Sequence, residues 1–319
     1  MMFNKLTVIG NPPYRTNSNT KDATPIYHKF IESIIDNLNP TYFTMIIPSK
    51  WMCGGKGLDD FRNRMINDDR ISKIVHFPGD REIFPSVQLP GGVSYFMWSK
   101  DYHGECEFTV GNKSTTRKLN EYDIIIQDNN AVSIINKVIN DYTSNKVINE
   151  YTSWLSTYVL PPMAFKIRGG FSNWKSTGTK CYSLSGVNYC DKCDYVDRYN
   201  VIDKYKVVTS GANGAAQRYV NGSKRVLGDV FIIEPGAICT ESYVIINFFY
   251  KESDAINFMG YMKTKFFRFL LGVRMFNPLI SRDKFNWVPD ISMTIDSELY
   301  TKFNLSQDEI DYIESTIRA

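Results

Sequence analysis

The sequence is poor in metal-binding pairs and in long apolar runs. Only three histidines occur in 319 residues (His28, His76 and His103), and all lie far from the one CxxC pair, Cys190 and Cys193. Zinc sites draw four ligands, usually from two such pairs or from paired histidines, and Cys181 is the one further thiol near enough in sequence to join. No metal is therefore expected. No run of about 18 apolar residues is present, which excludes a helical membrane span. Residues Met1 to Leu6 carry no secretory pattern, so a cytoplasmic location and reduced cysteines are expected. No acidic cluster with a spaced lysine marks a nuclease. What is there is ordinary for a globular chain: 43% hydrophobic and 22% charged residues suit one large domain or two small ones.

The net charge of +3 is unevenly placed. Residues 1 to 160 hold 17 basic and 17 acidic residues, residues 161 to 288 hold 18 and 10, and residues 289 to 319 hold 2 and 7. The central block thus carries +8 and the tail −5. A localised basic excess is the footprint of a surface that neutralises phosphates.

Strand and helix patterns alternate over the first hundred residues. Leu6 to Ile9 reads as a short strand ending at Gly10, and Thr24 is placed to cap a helix reaching Leu38. Tyr42 to Ile47 is apolar on both faces, as in a covered parallel strand. Leu58 to Ile66 reads as a helix, Ile71 to Phe77 and Gly92 to Trp98 as strands, and 131 to 151 as a helix. This alternation argues for an α/β layered sheet. After Trp154 short β-like runs appear at Tyr205 to Thr209, Val230 to Glu234 and Ser242 to Phe249. A helix is expected over Asp254 to Leu271, with Phe258, Met262, Phe266, Phe269 and Leu270 inward. Ser306-Gln307-Asp308-Glu309 is a capping box that opens a last helix.

Asn11-Pro12-Pro13-Tyr14 follows the first strand directly. The tetrapeptide also fits a plain strand-ending turn, since Asn-Pro and Pro-Pro are common turn dipeptides. Its residue types nonetheless suit one demanding reaction. The exocyclic amine of adenine is a poor nucleophile, because its lone pair is delocalised into the ring. Methylating it calls for acceptors that hold both amine hydrogens and turn the lone pair toward the donor. An Asn side-chain oxygen and a proline-flanked carbonyl can do this by positioning, with no strong base. An aromatic immediately after presents a stacking face. A paired base cannot reach such a pocket and has to be flipped out. The end of an apolar strand is where α/β sheets place ligands.

The sequence resembles the NPPY-type adenine DNA methyltransferases of type II restriction–modification systems, from their motif IV onward plus the target-recognition region. "VIGNPPYR", "TPIYHKFIESII", "TMIIPSKWMCGGKGLDDFRNRM" and "IVHFPGDREIFPSVQLPGGVSYFMW" carry the catalytic part of the resemblance. "GAICTESYVIINFF", "YMKTKFFRFLLGVRMFNPLISRDKFNWVPD" and "DSELYTKFNLSQDEIDYIESTIR" carry the remainder. It implies a partial Rossmann-like methyltransferase sheet over 1–150, a mixed α+β DNA-recognition domain over 151–290 and a helical tail over 291–319. It also implies S-adenosylmethionine as methyl donor and double-stranded DNA as partner. By the resemblance Asn11 and Pro12, with Pro13, hold the amine, while Tyr14 and Phe84 stack on the two faces of the base. Lys166, Arg168, Lys263, Lys265, Arg268, Arg274, Arg282 and Lys284 become candidates for DNA contact.

Members of that family carry a donor-binding region, with an FxGxG-like turn and a ribose-binding acid, ahead of NPPY. Here NPPY starts at residue 11, and the one glycine cluster, Gly54-Gly55-Lys56-Gly57, comes after it and reads as a loop. Two expectations follow. Either a complementary methyltransferase chain, or self-association, completes the donor site, or the chain is a non-catalytic module that binds DNA or protein and interferes with restriction.

Overall fold

A computed structural model describes residues 5–16, 24–55, 57–79, 83–84, 91–144, 154–214, 219–291 and 293–318. The chain divides into two compact units, Met1–Val132 and Ser133–Ala319.

The first unit is built on one mixed six-stranded sheet. In chain order its strands are β1 (Thr7–Gly10), β2 (Tyr42–Pro48), β3 (Ile71–Phe77), β4 (Val93–Ser99), β5 (Cys106–Val110) and β6 (Lys113–Arg117), arranged β1-β2-β4-β3-β5-β6. β2 runs parallel to β1 and antiparallel to β4, β4 runs antiparallel to β3, and β3 runs parallel to β5. The expectation of a parallel setting for β2 is therefore half met. Phe43, Met45 and Ile47 are buried while Thr44 and Ile46 are half-buried, so one face is fully covered and the other partly. β1, β2 and β3 all point the same way, and the segments that follow them leave the sheet at one edge.

Helix α1 (Tyr27–Ser33) continues as a π turn over Ile34–Leu38, and α2 (Asp59–Ile66) follows a 3₁₀ turn at Ser49–Cys53. The end at Leu38 is as the sequence predicts; Asn39 stops the turn in the left-handed region, at φ 45°, where Asn is tolerated. The start is different. Thr24 caps nothing, because it precedes Pro25 and is biased away from helix. Its carbonyl accepts the Thr16 N–H instead, at 3.1 Å, and Pro25 bridges Arg15. Tyr27 and Ile31 face a core that contains Trp51, Phe61, Met65, Ile74, Phe96 and Phe108. Full burial of each such aromatic contributes roughly 1.5–3 kcal/mol.

The second unit contains α3 (Ala131–Ser144), which begins two residues before it; the rest of the helix expected to 151 lies outside the described residues. Among the described residues six strands follow: β7 (Thr179–Ser183), β8 (Gly186–Cys190), β9 (Tyr205–Ser210), β10 (Val230–Ile233), β11 (Ile238–Cys239) and β12 (Tyr243–Phe249). They form two three-stranded sheets, β10-β9-β12 and β11-β7-β8. The three β-like runs read from the sequence are β9, β10 and β12. Lys206 on β9 is fully buried, and its ammonium donates to the carbonyls of Val201, Ile202, Lys204 and Glu234 at 2.7–3.4 Å.

The helix expected over Asp254 to Leu271 is two: α4 (Glu252–Lys263) and α5 (Lys265–Arg274). Thr264 breaks it with an extended ψ of 149°, and its hydroxyl caps α5 by accepting the Phe267 N–H. The Asp296 carboxylate accepts from the N–H groups of Lys265 and Phe266, which satisfies the remaining free donors of that end. All five residues expected inward are buried. After α6 (Asp296–Lys302), α7 (Gln307–Thr316) opens on the expected capping box, with Ser306 and Glu309 bonding each other's backbone N–H.

Candidate functional site

The sheet edge where β1, β2 and β3 end gathers the residues singled out by the sequence in this unit. Gly10 closes β1 against Met45, where an added Cβ would come within 3.2 Å of the methionine methyl. Asn11 is exposed, Pro12 is buried, Pro13 is exposed and Tyr14 is half-buried. Proline at 12 and 13 fixes φ near −65° and removes two N–H donors, so the carbonyls there meet no competing donor from their own segment.

Tyr14 is held from several sides. Its hydroxyl donates to the Ile46 carbonyl of β2 at 3.4 Å, and its own carbonyl accepts the Ile26 N–H at 3.3 Å. Its ring meets Tyr27 edge-on, with centroids 6.5 Å apart and planes at 82°, and Phe84 likewise at 6.5 Å and 74°. Burial raises the Tyr14 phenol above its ordinary pKa, so it stays a neutral donor. Behind it, Tyr27 packs on Phe61, and Phe61 on Trp51. Tyr27 was readable only as an apolar helix position. Its place behind Tyr14 depends on how α1 docks, which spacing does not report.

A buried polar pair sits at the same edge and was not foreseen. His76, at the end of β3, places Nδ1 2.8 Å from Ser49 Oγ and 3.3 Å from the Val93 carbonyl. Burial pushes its pKa down to about 4, leaving the imidazole neutral. Gln127 donates to the Ser49 carbonyl, and Ser49 N–H to that of Gly92. Gly92 has φ +75°, and an added Cβ would lie 2.0 Å from the Phe77 carbonyl, so only glycine fits there. These contacts fasten the turn after β2 to the end of β3.

The glycine cluster is a loop ahead of α2, as expected, with Gly54, Gly55 and Gly57 all at positive φ; Lys56 lies outside the described residues. Gly55 N–H bonds Asp59, which also pairs with Arg62 at 2.7 Å. In the second unit, the thiols of Cys181 and Cys190 are buried and face backbone carbonyls. Cys193 stands instead with Asp191 and Asp194, whose carboxylate and amide groups already form a capping box.

The eight basic candidates separate by burial. Lys166, Arg168, Lys263 and Arg282 are exposed and Lys265 is half-buried. Lys265 pairs with Glu314, and Arg282 reaches the Val159 carbonyl. Arg268, Arg274 and Lys284 are interior residues, which corrects the expectation that all eight lie at the surface. Arg268 bonds the carbonyls of Met262 and Arg318, Arg274 bonds that of Asp283 and stacks on Trp287, and Lys284 pairs with Asp283. Their stems fill the core around α5 while their charges are used internally.

Chemically, the first-unit edge presents an exposed carboxamide, proline-flanked carbonyls and two aromatic rings within a single short span. Residues 7–84, which run from β1 to Phe84, match the family described as Eco57I restriction-modification methylase. An uncharacterized adenine-specific methylase of Mycoplasma pneumoniae (strain ATCC 29342 / M129 / Subtype 1) is 33% identical over 117 residues, covering 34% of this chain and 28% of that protein. Among solved structures, the type IIG restriction endonuclease BpuSI aligns over 96% of this chain and 48% of its own, at 11% identity and a TM-score of 0.34. The type IIL restriction-modification enzyme MmeI in complex with DNA aligns over 98% and 55%, at 9% identity and a TM-score of 0.42. The chain thus spans little more than a quarter of the curated relative and about half of each of these structures. The likeness to adenine-specific methylases of restriction–modification systems stands. Among the described residues, no helix is long and apolar enough to cross a membrane.

Proposed function

We propose that this chain contributes the base-binding and DNA-recognition parts of an enzyme that transfers a methyl group from S-adenosylmethionine to the exocyclic amine of a flipped adenine. The observation that carries this reading is the placement of Asn11-Pro12-Pro13-Tyr14 directly after β1, with the Phe84 ring against Tyr14. In this reading the Asn11 side-chain oxygen and the Pro12 carbonyl accept the two amine hydrogens. That would turn the nitrogen lone pair toward a bound donor, which would supply the methyl group. The amine proton is then lost to solvent. Pro13 keeps the segment extended, and Tyr14 and Phe84 take the two faces of the base.

The six-stranded sheet is read as part of a Rossmann-like methyltransferase sheet. The donor is read as held with the help of a complementary methyltransferase chain or by self-association of this one. Residues 151–290 are read as the DNA-recognition domain and 291–319 as a helical tail. The exposed Lys166, Arg168, Lys263 and Arg282, with Lys265, are read as phosphate contacts, whose summed charge supports binding without specifying sequence. Calorimetric titration of S-adenosylmethionine into the chain, alone and with DNA, separates these: micromolar binding would mean that the donor site is complete here or rebuilt by self-association, and no binding would turn the search to a complementary chain.

The test is incubation of the assembled protein with duplex DNA and methyl-labelled donor, followed by digestion to nucleosides. Label in N6-methyladenine supports the proposal. Label in N4-methylcytosine would keep the amine chemistry and overturn the choice of base. DNA binding with no label would favour the non-catalytic module.

A further inference from the structure

Tyr14 is anchored at two points that leave the plane of its ring open. Its carbonyl accepts the Ile26 N–H at 3.3 Å, and its hydroxyl donates to the Ile46 carbonyl at 3.4 Å, beyond the usual hydrogen-bonding range. The first anchor fixes the backbone. The second lies on the axis through Cβ, Cγ and the phenol oxygen, about which the ring turns. Rotation about that axis is a broad torsion, so neither anchor sets the plane. A contact from the side has to do so, and among the described residues Tyr27 and Phe84 are the rings that meet Tyr14.

Of these two, Tyr27 is the one built into the core. It is 2% exposed, whereas Phe84 is half-buried. It meets Tyr14 at 82°, packs on Phe61 at 84°, and Phe61 packs on Trp51 at 69°. Phe61 and Trp51 are both buried. A series of edge contacts therefore runs from the sheet edge into the interior, and in a close-packed interior one ring cannot turn without displacing the next. The backbone keeps the two ends of the series in register. The Thr16 N–H bonds the Thr24 carbonyl at 3.1 Å, and Arg15 bridges Pro25, so the segment after Tyr14 is tied to the start of α1. The Tyr27 hydroxyl, near the Trp51 backbone, makes no hydrogen bond among the described residues, so the ring and not the oxygen supplies the hold.

We propose that Tyr27 is a positioning residue for methyl transfer: it sets the plane of Tyr14, against which the flipped base stacks, and touches no base itself. This rests on the reading of Asn11 to Tyr14 given above.

The experiment measures methyl transfer at saturating duplex, and duplex affinity, in the assembled protein and its variants. The variants are Tyr27→Phe, Tyr27→Leu, Tyr14→Ala, the Tyr14→Ala/Tyr27→Leu pair, Phe61→Leu and Phe43→Leu. Phe43 is a buried ring that packs on Phe96 outside the series, so Phe43→Leu reports general loss of core packing. Tyr27→Leu is expected to lower turnover about tenfold with duplex affinity within about twofold of the parent, since misplacement of the reacting atoms costs rate before binding. Tyr27→Phe keeps the ring and is expected to match the parent, as is the turnover of folded Phe43→Leu. Phe61→Leu loosens Tyr27 without touching Tyr14, and is expected to give a smaller loss of the same kind; it carries the test if Tyr27→Leu does not fold. In the pair, Tyr27→Leu is expected to add nothing to Tyr14→Ala, because its effect passes through Tyr14. A further loss in the pair, an equal loss in Phe43→Leu, or parent-like turnover in Tyr27→Leu would overturn the positioning role while leaving the base reading intact. Parent-like turnover in Tyr14→Ala would overturn the stacking role of Tyr14, and this inference with it.

Discussion

Tyr14 and Phe84 meet edge to face, with ring centroids 6.5 Å apart and planes at 74°. A base stacked between two rings requires them near parallel and about 7 Å apart, two van der Waals layers of about 3.5 Å each. On the proposed reading one ring turns before a base can enter, and Tyr14 is the one held by Ile46, Ile26 and Tyr27. Phe84→Ala is therefore expected to lower affinity for a flipped base by roughly 1–3 kcal/mol, with Phe84→Tyr close to the parent. 2-Aminopurine at the target position reports this directly, and equal fluorescence in all three proteins would contradict the role.

The burial of the basic residues separates two kinds of variant. Arg168→Ala removes an exposed charge and is expected to reduce the slope of log affinity against log salt by about 1, with little effect on stability. Arg274→Ala strips a core stem that stacks on Trp287, and is expected to destabilise by about 2 kcal/mol or more while leaving the salt slope of the remaining folded protein unchanged. Titrations at several salt concentrations alongside chemical unfolding check both.

His76 makes stability depend on pH. Its pKa is about 4 when folded against an ordinary value of 6.5, so between these limits the unfolded chain binds more protons. Stability contributed by the neutral imidazole is complete above pH 6.5 and is lost as pH falls toward 4, with a total on the order of 3 kcal/mol. His76→Gln is expected to flatten this part of the stability–pH curve, measured by urea unfolding between these pH values. A curve as steep as the parent's would assign the dependence to other groups.

Lys206→Met keeps the length of the buried stem but leaves four carbonyls without their ammonium donor. The carbonyls of Val201, Ile202 and Glu234 keep backbone N–H partners from Lys204, Gly236 and Ala237, so the loss falls chiefly on the Lys204 carbonyl and is expected to cost about 1–3 kcal/mol in unfolding experiments. No loss on substitution would mean that the ammonium bonds add nothing beyond the backbone bonds these carbonyls already make.

Local signals in the sequence carried far. The capping box at Ser306, the strand at Ile71 to Phe77 and the inward face of α4 and α5 depend on spacing alone, and all three are present. Failures came where a neighbour overrides spacing. Thr24 caps nothing because Pro25 and the segment after Tyr14 pair with each other. A single helix became two because Thr264 stays extended and Asp296 satisfies the new terminus. Asn11 to Tyr14 could be picked out as a group because their chemistry is contiguous. The Ser49–His76 pair and the backing of Tyr14 by Tyr27 join residues 27 and 13 positions apart, brought together by the sheet topology in the first case and by the docking of α1 in the second. Arg268, Arg274 and Lys284 misled because charge in a sequence is read as surface, whereas long stems can carry it into a core.

The most direct measurement is of Asn11→Ala in the assembled protein, with methyl transfer to adenine and affinity for duplex DNA determined on the same preparation. Asn11 is exposed and outside the core, so folding and DNA affinity are expected to stay close to the parent. Loss of methyl transfer by at least about a hundredfold, with that affinity retained, is the result the account predicts. Methylation at the parent rate would contradict it, because the amine would then be positioned by something other than Asn11.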